Sequence, residues 1–162
     1  MISKVAVIDG EERAAQIAVL STSPVAWAVQ FLLSGTHELC KGTITSRLFF
    51  GGMTTIFGEL EGVTGPQLVK REKFRVSEVQ AALAHPDCTD QKSKYAVDAI
   101  VAALVAGTFD PKITVFRPFG DMIIDGNKTA AALYETNTAE TIDLSVYVIR
   151  LKELAPTPGA GT

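Results

Sequence analysis

Cysteine and histidine are scarce, with two of each in 162 residues. Cys40 and Cys88 lie far apart without a CxxC spacing, and His37 and His85 form no spaced ligand set, so neither a disulfide framework nor a zinc site is supported. A reducing, cytoplasmic setting is therefore expected. Aromatic residues make up only 7% of the chain, which leaves the core to aliphatic side chains and alanine. Basic charge is not in excess: fifteen basic against eighteen acidic side chains give a net charge of −3 and a pI near 5.4. That balance excludes a protein held to DNA by bulk charge alone. A DNA contact would need a local basic patch, such as Lys70, Arg71, Lys73 and Arg75, or Lys92 and Lys94; each cluster also reads as a solvated face. No basic segment leads into an apolar run at the N-terminus, so no secretory signal is expected, and no internal repeat is found.

Residues 14 to 33, AAQIAVLSTSPVAWAVQFLL, carry no charge across about a membrane's width and invite comparison with a spanning helix. Gln16, Ser21, Thr22, Ser23, Pro24 and Gln30 make that span costly. Ser23-Pro24 reads better as an N-cap followed by proline at the first helical position. Two short buried helices and no membrane partner are expected. The length suits one domain with a sizeable core, and 47% hydrophobic with 20% charged residues is ordinary for a globular chain.

In order, VAVI at 5 to 8 predicts a strand, EERAAQIAVL at 11 to 20 a helix with an acidic first turn, and Pro24 to about Ser34 a second helix stopped by Gly35. TITSRLFF, Gly51-Gly52 and MTTIFGEL predict a β-hairpin. Residues 58 to 74 mix glycine, proline and charge, as a connection or irregular edge does. Ser77 and Gln80 form a capping box opening SEVQAALA, which ends at His85-Pro86. DCTDQKS follows as a polar loop. KYAVDAIVAALVAG predicts a helix with Tyr95, Ile100, Leu104 and valines on its apolar face and Gly107 as its stop. ITVF is a strand, RPFGD a turn, MII a second strand, GNKTAAALYE a helix, and IDLSVYVI a long final strand before a frayed tail.

The turn at 125 to 129 concentrates the chemistry. A strand-to-helix junction presents free backbone N–H groups, which with the helix dipole form an anion site. Lys128 stands where the dipole disfavours a cation, so a phosphate is the expected occupant. The plain alternative is an Asp-Gly turn with Asn127 capping the helix and Lys128 solvated.

The succession of a capped helix, a long helix ending in glycine, PKITVF, a short turn, a strand, DGNKTAAA and IDLSVYVI resembles the ParB/sulfiredoxin superfamily over roughly residues 74 to 149. The resemblance implies an α+β fold with a mixed sheet and packed helices. Residues 1–73 would add N-terminal helices and a hairpin to the same domain, residues 74–150 would form the nucleotide-binding core, and residues 151–162 a flexible tail. In that family the turn binds nucleotide phosphates. Asp125 and Gly126 match directly, Asn127 and Lys128 fall where members carry histidine or other polar or basic residues, and Thr129 replaces the phosphate-binding arginine. Bidentate phosphate recognition is then lost, leaving Lys128 and the Thr129 hydroxyl to substitute.

Sulfiredoxin-like reduction needs a reactive cysteine in this turn, and none is there. Partition-type members add a helix-turn-helix module, for which the 13 residues after Ile149 leave no room. The resemblance thus implies a single-domain member of the plasmid type: a hydrolase binding ATP or another nucleoside triphosphate with Mg2+, with associated DNase activity and inhibition of plasmid or DNA transfer. Gly126, Asn127, Lys128 and Thr129 would bind the nucleotide. A nuclease needs carboxylates for a metal or a water; Asp121 and Asp125 are the first candidates, as catalytic residues and metal ligands, and Glu59 and Glu61 the second. The competing expectation is a non-catalytic module that binds a protein of a conjugation or partition machine.

Overall fold

The computed structural model describes residues 1–57, 73–86 and 88–153. The expected connection at 58–72, with Glu59, Glu61, Lys70 and Arg71, and the expected tail from 154 onward lie outside the described residues.

The fold is α+β, organised by a mixed five-stranded sheet with six α-helices among the described residues. Strands β1 (Ile2–Val7), β2 (His37–Ser46), β5 (Thr114–Phe116), β6 (Met122–Asp125) and β7 (Thr141–Leu151) lie in the order β1-β2-β7-β5-β6. The β5–β7 pair is parallel and the other pairs antiparallel. β7 occupies the centre because its sequence alternates: Ile142, Leu144, Val146 and Val148 feed one face, Tyr147 and Ile149 the other.

Each face has its own helices. Against one pack α1 (Gly10–Ser21) and α2 (Trp27–Leu33), through Leu20, Ala28, Val29 and Leu32. Against the other pack Phe50 of α3 (Arg47–Gly52) and Ala130 and Leu133 of α6 (Asn127–Thr136). The far side of α6 is covered in turn: Ala131 and Ala132 meet Val79, Ala82 and Leu83 of α4 (Val79–Leu83) and Val97 of α5 (Gln91–Ala106). The three alanines let one helix be buried on both sides, since a larger side chain there would hold the layers apart.

The uncharged run at 14 to 33 is divided between α1 and α2, and no helix among the described residues is long and apolar enough to cross a membrane. β1 and β2 complete the sheet that β7 centres, so the N-terminal residues build two of its five strands.

Several local expectations are corrected. RLFFGG is not the tip of a hairpin but α3, begun by Ser46, whose hydroxyl accepts from the Phe49 N–H at 3.2 Å. Gly51 lies under the Tyr134 ring, where a β-carbon would collide. TTI becomes β3 (Thr54–Ile56) and pairs with β4 (Lys73–Arg75) in a separate two-stranded sheet. α2 starts at Trp27 and not at Pro24, because the Ser23 hydroxyl accepts from Val25 N–H and closes a turn first. Asp90 accepts from Ser93 N–H at 3.0 Å and starts α5 three residues before Lys94. In place of a Ser77–Gln80 box, residues Val76–Glu78 form a 3-10 turn in which the Glu78 carboxylate accepts from Arg75 N–H. Tyr95, expected to face the core, is 67% exposed; Ser93 and Val97 face inward in its place.

Candidate functional site

The turn forms where β6 ends. Because β5 and β6 are antiparallel, the residue after β6 lies beside the residues before β5. Gly126 meets that geometry with φ +80° and ψ +30°, a left-handed conformation natural to glycine. A β-carbon there would land on the Lys112 carbonyl oxygen and 3.2 Å from Ile113 Cα. Glycine at 126 is therefore required twice over, by the dihedral and by the contact.

Gly126 caps α6, and the first helical hydrogen bond runs from Ala130 N–H to its carbonyl at 2.8 Å. The N–H groups of Asn127, Lys128 and Thr129 have no acceptor four residues back within the helix. Asn127 does not cap the helix with its side chain. Its Oδ1 instead accepts from Ile56 N–H at 3.0 Å, tying β3 to the turn. Lys128 is half-buried and makes no ion pair among the described residues. Thr129 is only 7% exposed. Among the described residues no buried side-chain oxygen is left without a partner and no side-chain hydrogen bond involves Thr129. What remains accessible of Thr129 therefore includes its hydroxyl.

The structure does not bring the two aspartates together. They flank the strand, Asp121 just before β6 and Asp125 as its last residue, roughly 13 Å apart at the rise of an extended chain. Asp121 is taken: its carboxylate accepts from Arg117 Nε at 3.0 Å. It also adopts a positive φ of 55° in the turn before β6. Asp121 is thus engaged by a cation and Asp125, among the described residues, is not, so the two carboxylates expected to act together stand in different settings. Among the described residues no three His, Cys, Asp or Glu side chains gather to hold a metal. Glu59 and Glu61 fall outside the described residues.

Asp125 is different. Burial pushes its carboxyl above the usual carboxylate range, opposed by the hydrogen bond from Gly126 N–H, and it has no cationic partner in the described ion pairs. One such carboxylate suits Mg2+, which commonly takes one or two protein carboxylates, several waters and substrate phosphates. The fit rests on Asp125 alone.

Two contributors were hidden from sequence reasoning. The Lys112 backbone walls the turn because of the β5–β6 register, and Asn127 anchors β3, a strand distant in sequence. Glycine followed by asparagine signals a turn, but nothing in one sequence points to Ile56 as the partner. The chain matches no family model, no curated protein and no solved structure.

Proposed function

We propose that the chain is a nucleotide-binding hydrolase of the ParB/sulfiredoxin type, with the phosphates of ATP or another nucleoside triphosphate seated on the N-terminus of α6. The observation that carries the reading is Lys128: a half-buried lysine without an ion pair among the described residues, at the positive end of a helix, beside N–H groups with no acceptor within the helix. A phosphate satisfies the amides and the ammonium at once. Asp125 would hold Mg2+ against the phosphates, and the metal would neutralise charge as the bond to the leaving group breaks. Associated DNase activity and inhibition of DNA transfer belong to the same reading, with Asp125 the remaining carboxylate candidate at this turn.

The test is calorimetric titration with ATP, CTP and GTP, with and without magnesium, on the wild type and Lys128→Ala. The substitution is expected to weaken binding roughly tenfold or more, the equivalent of a charge-assisted contact of about 1.5 to 3 kcal/mol. It should leave stability unchanged or raise it by about a few tenths of a kcal/mol as the dipole repulsion is relieved. A destabilised fold with unchanged affinity would make Lys128 a structural residue and end the phosphate reading.

Exposed apolar side chains favour a second reading, a module that binds a conjugation-machinery protein. Leu33 is 70% and Leu48 89% exposed, and Trp27 packs against both Phe31 and the exposed Phe119. Absence of heat with all three nucleotides, together with loss of transfer inhibition in Phe119→Asp, would favour it.

A further inference from the structure

Donors are plentiful at the start of α6, and oxygens are scarce. Side-chain oxygen comes to the turn from Asp125, Asn127 and Thr129. The Asn127 Oδ1 is engaged by Ile56 N–H at 3.0 Å, which leaves the Asp125 carboxylate and the Thr129 hydroxyl. Serine and threonine within a helix commonly turn the hydroxyl back onto a carbonyl three or four residues earlier. Ser21 does so to the Ile17 carbonyl at 2.7 Å and Thr136 to the Ala132 carbonyl at 3.1 Å. Thr129 makes no such bond among the described residues. Its side chain is otherwise enclosed, at 7% exposure, and its hydroxyl is what stays open. Helical side chains lean toward the N-terminus, the end at which phosphates would sit.

Ser93 holds the same third place in α5 and is 8% exposed. There the turn is already capped, because the Asp90 carboxylate accepts from Ser93 N–H at 3.0 Å. α6 has no side-chain cap.

A phosphate needs donors, and the first N–H groups of α6 with the Lys128 ammonium supply them. A divalent metal needs oxygen lone pairs instead. Mg2+ commonly keeps several waters, takes one or two protein oxygens and fills its remaining positions with substrate phosphates. Lysine followed directly by a hydroxyl residue in the first turn of a helix is the order in which phosphate-binding loops divide this work: the lysine takes phosphate and the hydroxyl takes the metal. Lys128-Thr129 keeps that order at the start of α6.

We propose that the Thr129 hydroxyl is a metal ligand, the second protein oxygen beside the Asp125 carboxylate for the Mg2+ that accompanies a nucleoside triphosphate at this turn. The inference rests on the phosphate reading above and changes the task of Thr129 within it, from a donor to phosphate to a lone pair for the cation.

Thr129→Val keeps the shape and removes the hydroxyl, Thr129→Ser keeps the hydroxyl, and Thr129→Cys replaces it by a softer ligand. Calorimetric titration with ATP, CTP and GTP in EDTA should find all three variants within about twofold of the wild type. In magnesium Thr129→Val should bind at least about tenfold more weakly than the wild type, with its melting temperature no lower, while Thr129→Ser binds as the wild type does. Thr129→Cys should be weak in magnesium and recover in cadmium, because thiolate selects the softer cation; Cys40 and Cys88 are buried and do not compete. Electron paramagnetic resonance of Mn2+ with nucleotide should show the same loss of bound metal in Thr129→Val. Equal losses in EDTA and in magnesium would make the hydroxyl a phosphate donor, and wild-type binding by Thr129→Val in both buffers would leave it no role. Either result overturns the proposal with the phosphate site intact. A wild type that binds none of the three nucleotides in either buffer overturns the phosphate reading itself, and this inference with it.

Discussion

Alanine at position 126 incurs two separable penalties. The first is conformational: at φ +80° an L-residue sits in the left-handed region, at roughly 1 to 2 kcal/mol. The second is steric, because the added β-carbon meets the Lys112 carbonyl and the Ile113 backbone. Neither is the movable end of a side chain, and both belong to the segment leading into β5, a buried strand between β7 and β6. Forcing extra volume into such a place costs about 1 to 3 kcal/mol more. Gly107 is the control. It ends α5 at φ +69° with nothing within 4 Å of where its β-carbon would stand, so Gly107→Ala carries the first penalty alone. Urea unfolding followed by circular dichroism, analysed by linear extrapolation, should place Gly126→Ala at about 2 to 5 kcal/mol of lost stability and Gly107→Ala at about 1 to 2 kcal/mol. Equal losses at the two glycines would refute the collision.

Asn127→Ala removes the acceptor for Ile56 N–H and should cost about 1 to 2 kcal/mol, while Asn127→Asp, which keeps an acceptor, should cost less in the same melts. Burial raises the Asp125 carboxyl above its usual range, so its folded value lies above its unfolded one and the ionised form is the disfavoured one in the fold. Asp125→Asn should therefore be more stable than wild type at neutral pH, and the gap in melting temperature should close as pH falls through the folded value toward the unfolded value near 4. A gap that widens with acid would mean the carboxylate is held by something other than Gly126 N–H.

What one sequence reveals depends on how local the determining physics is. β7 was legible because alternation over IDLSVYVI registers a sheet with two covered faces. α5 was legible from its apolar residues and its Gly107 stop, and α6 from its alanines after the Gly126 turn, while the Asp90 cap of α5 was not. RLFFGG misled because a glycine pair between β-rich stretches is a good hairpin signal, and what decides against it is tertiary: β2 has better partners in β1 and β7, and Ser46 turns the chain into α3. The exposure of Tyr95 was missed for a related reason. A helix apolar all round gives no phase from which to choose the buried side. At the turn, the residue types needed for an anion site were readable and their spacing along β6 was not used: Asp121 and Asp125, four residues apart, look close in a list of letters and flank a strand, one just before it and one at its end.

That separation leaves Asp125 with a task of its own in the phosphate proposal. Its carboxylate lies near enough to Gly126 N–H for that amide to favour the charged form, and that amide adjoins those a phosphate would use. Two anions about 5 Å apart repel by roughly 3 kcal/mol at an effective dielectric of about 20. The repulsion equals or exceeds the contact of about 1.5 to 3 kcal/mol that Lys128 supplies. Nucleotide without metal should then bind poorly, because the lysine's attraction is cancelled by its neighbour. If Asp125 holds magnesium, the metal's charge would offset that repulsion. Asp125→Asn removes the repulsion and the metal ligand together, so it should raise metal-free affinity about tenfold or more and abolish the gain on adding magnesium. Titrations of the wild type and Asp125→Asn in EDTA and in magnesium measure both effects. If the wild type binds equally well in the two buffers, and the variant changes neither value, the phosphates do not sit beside Asp125.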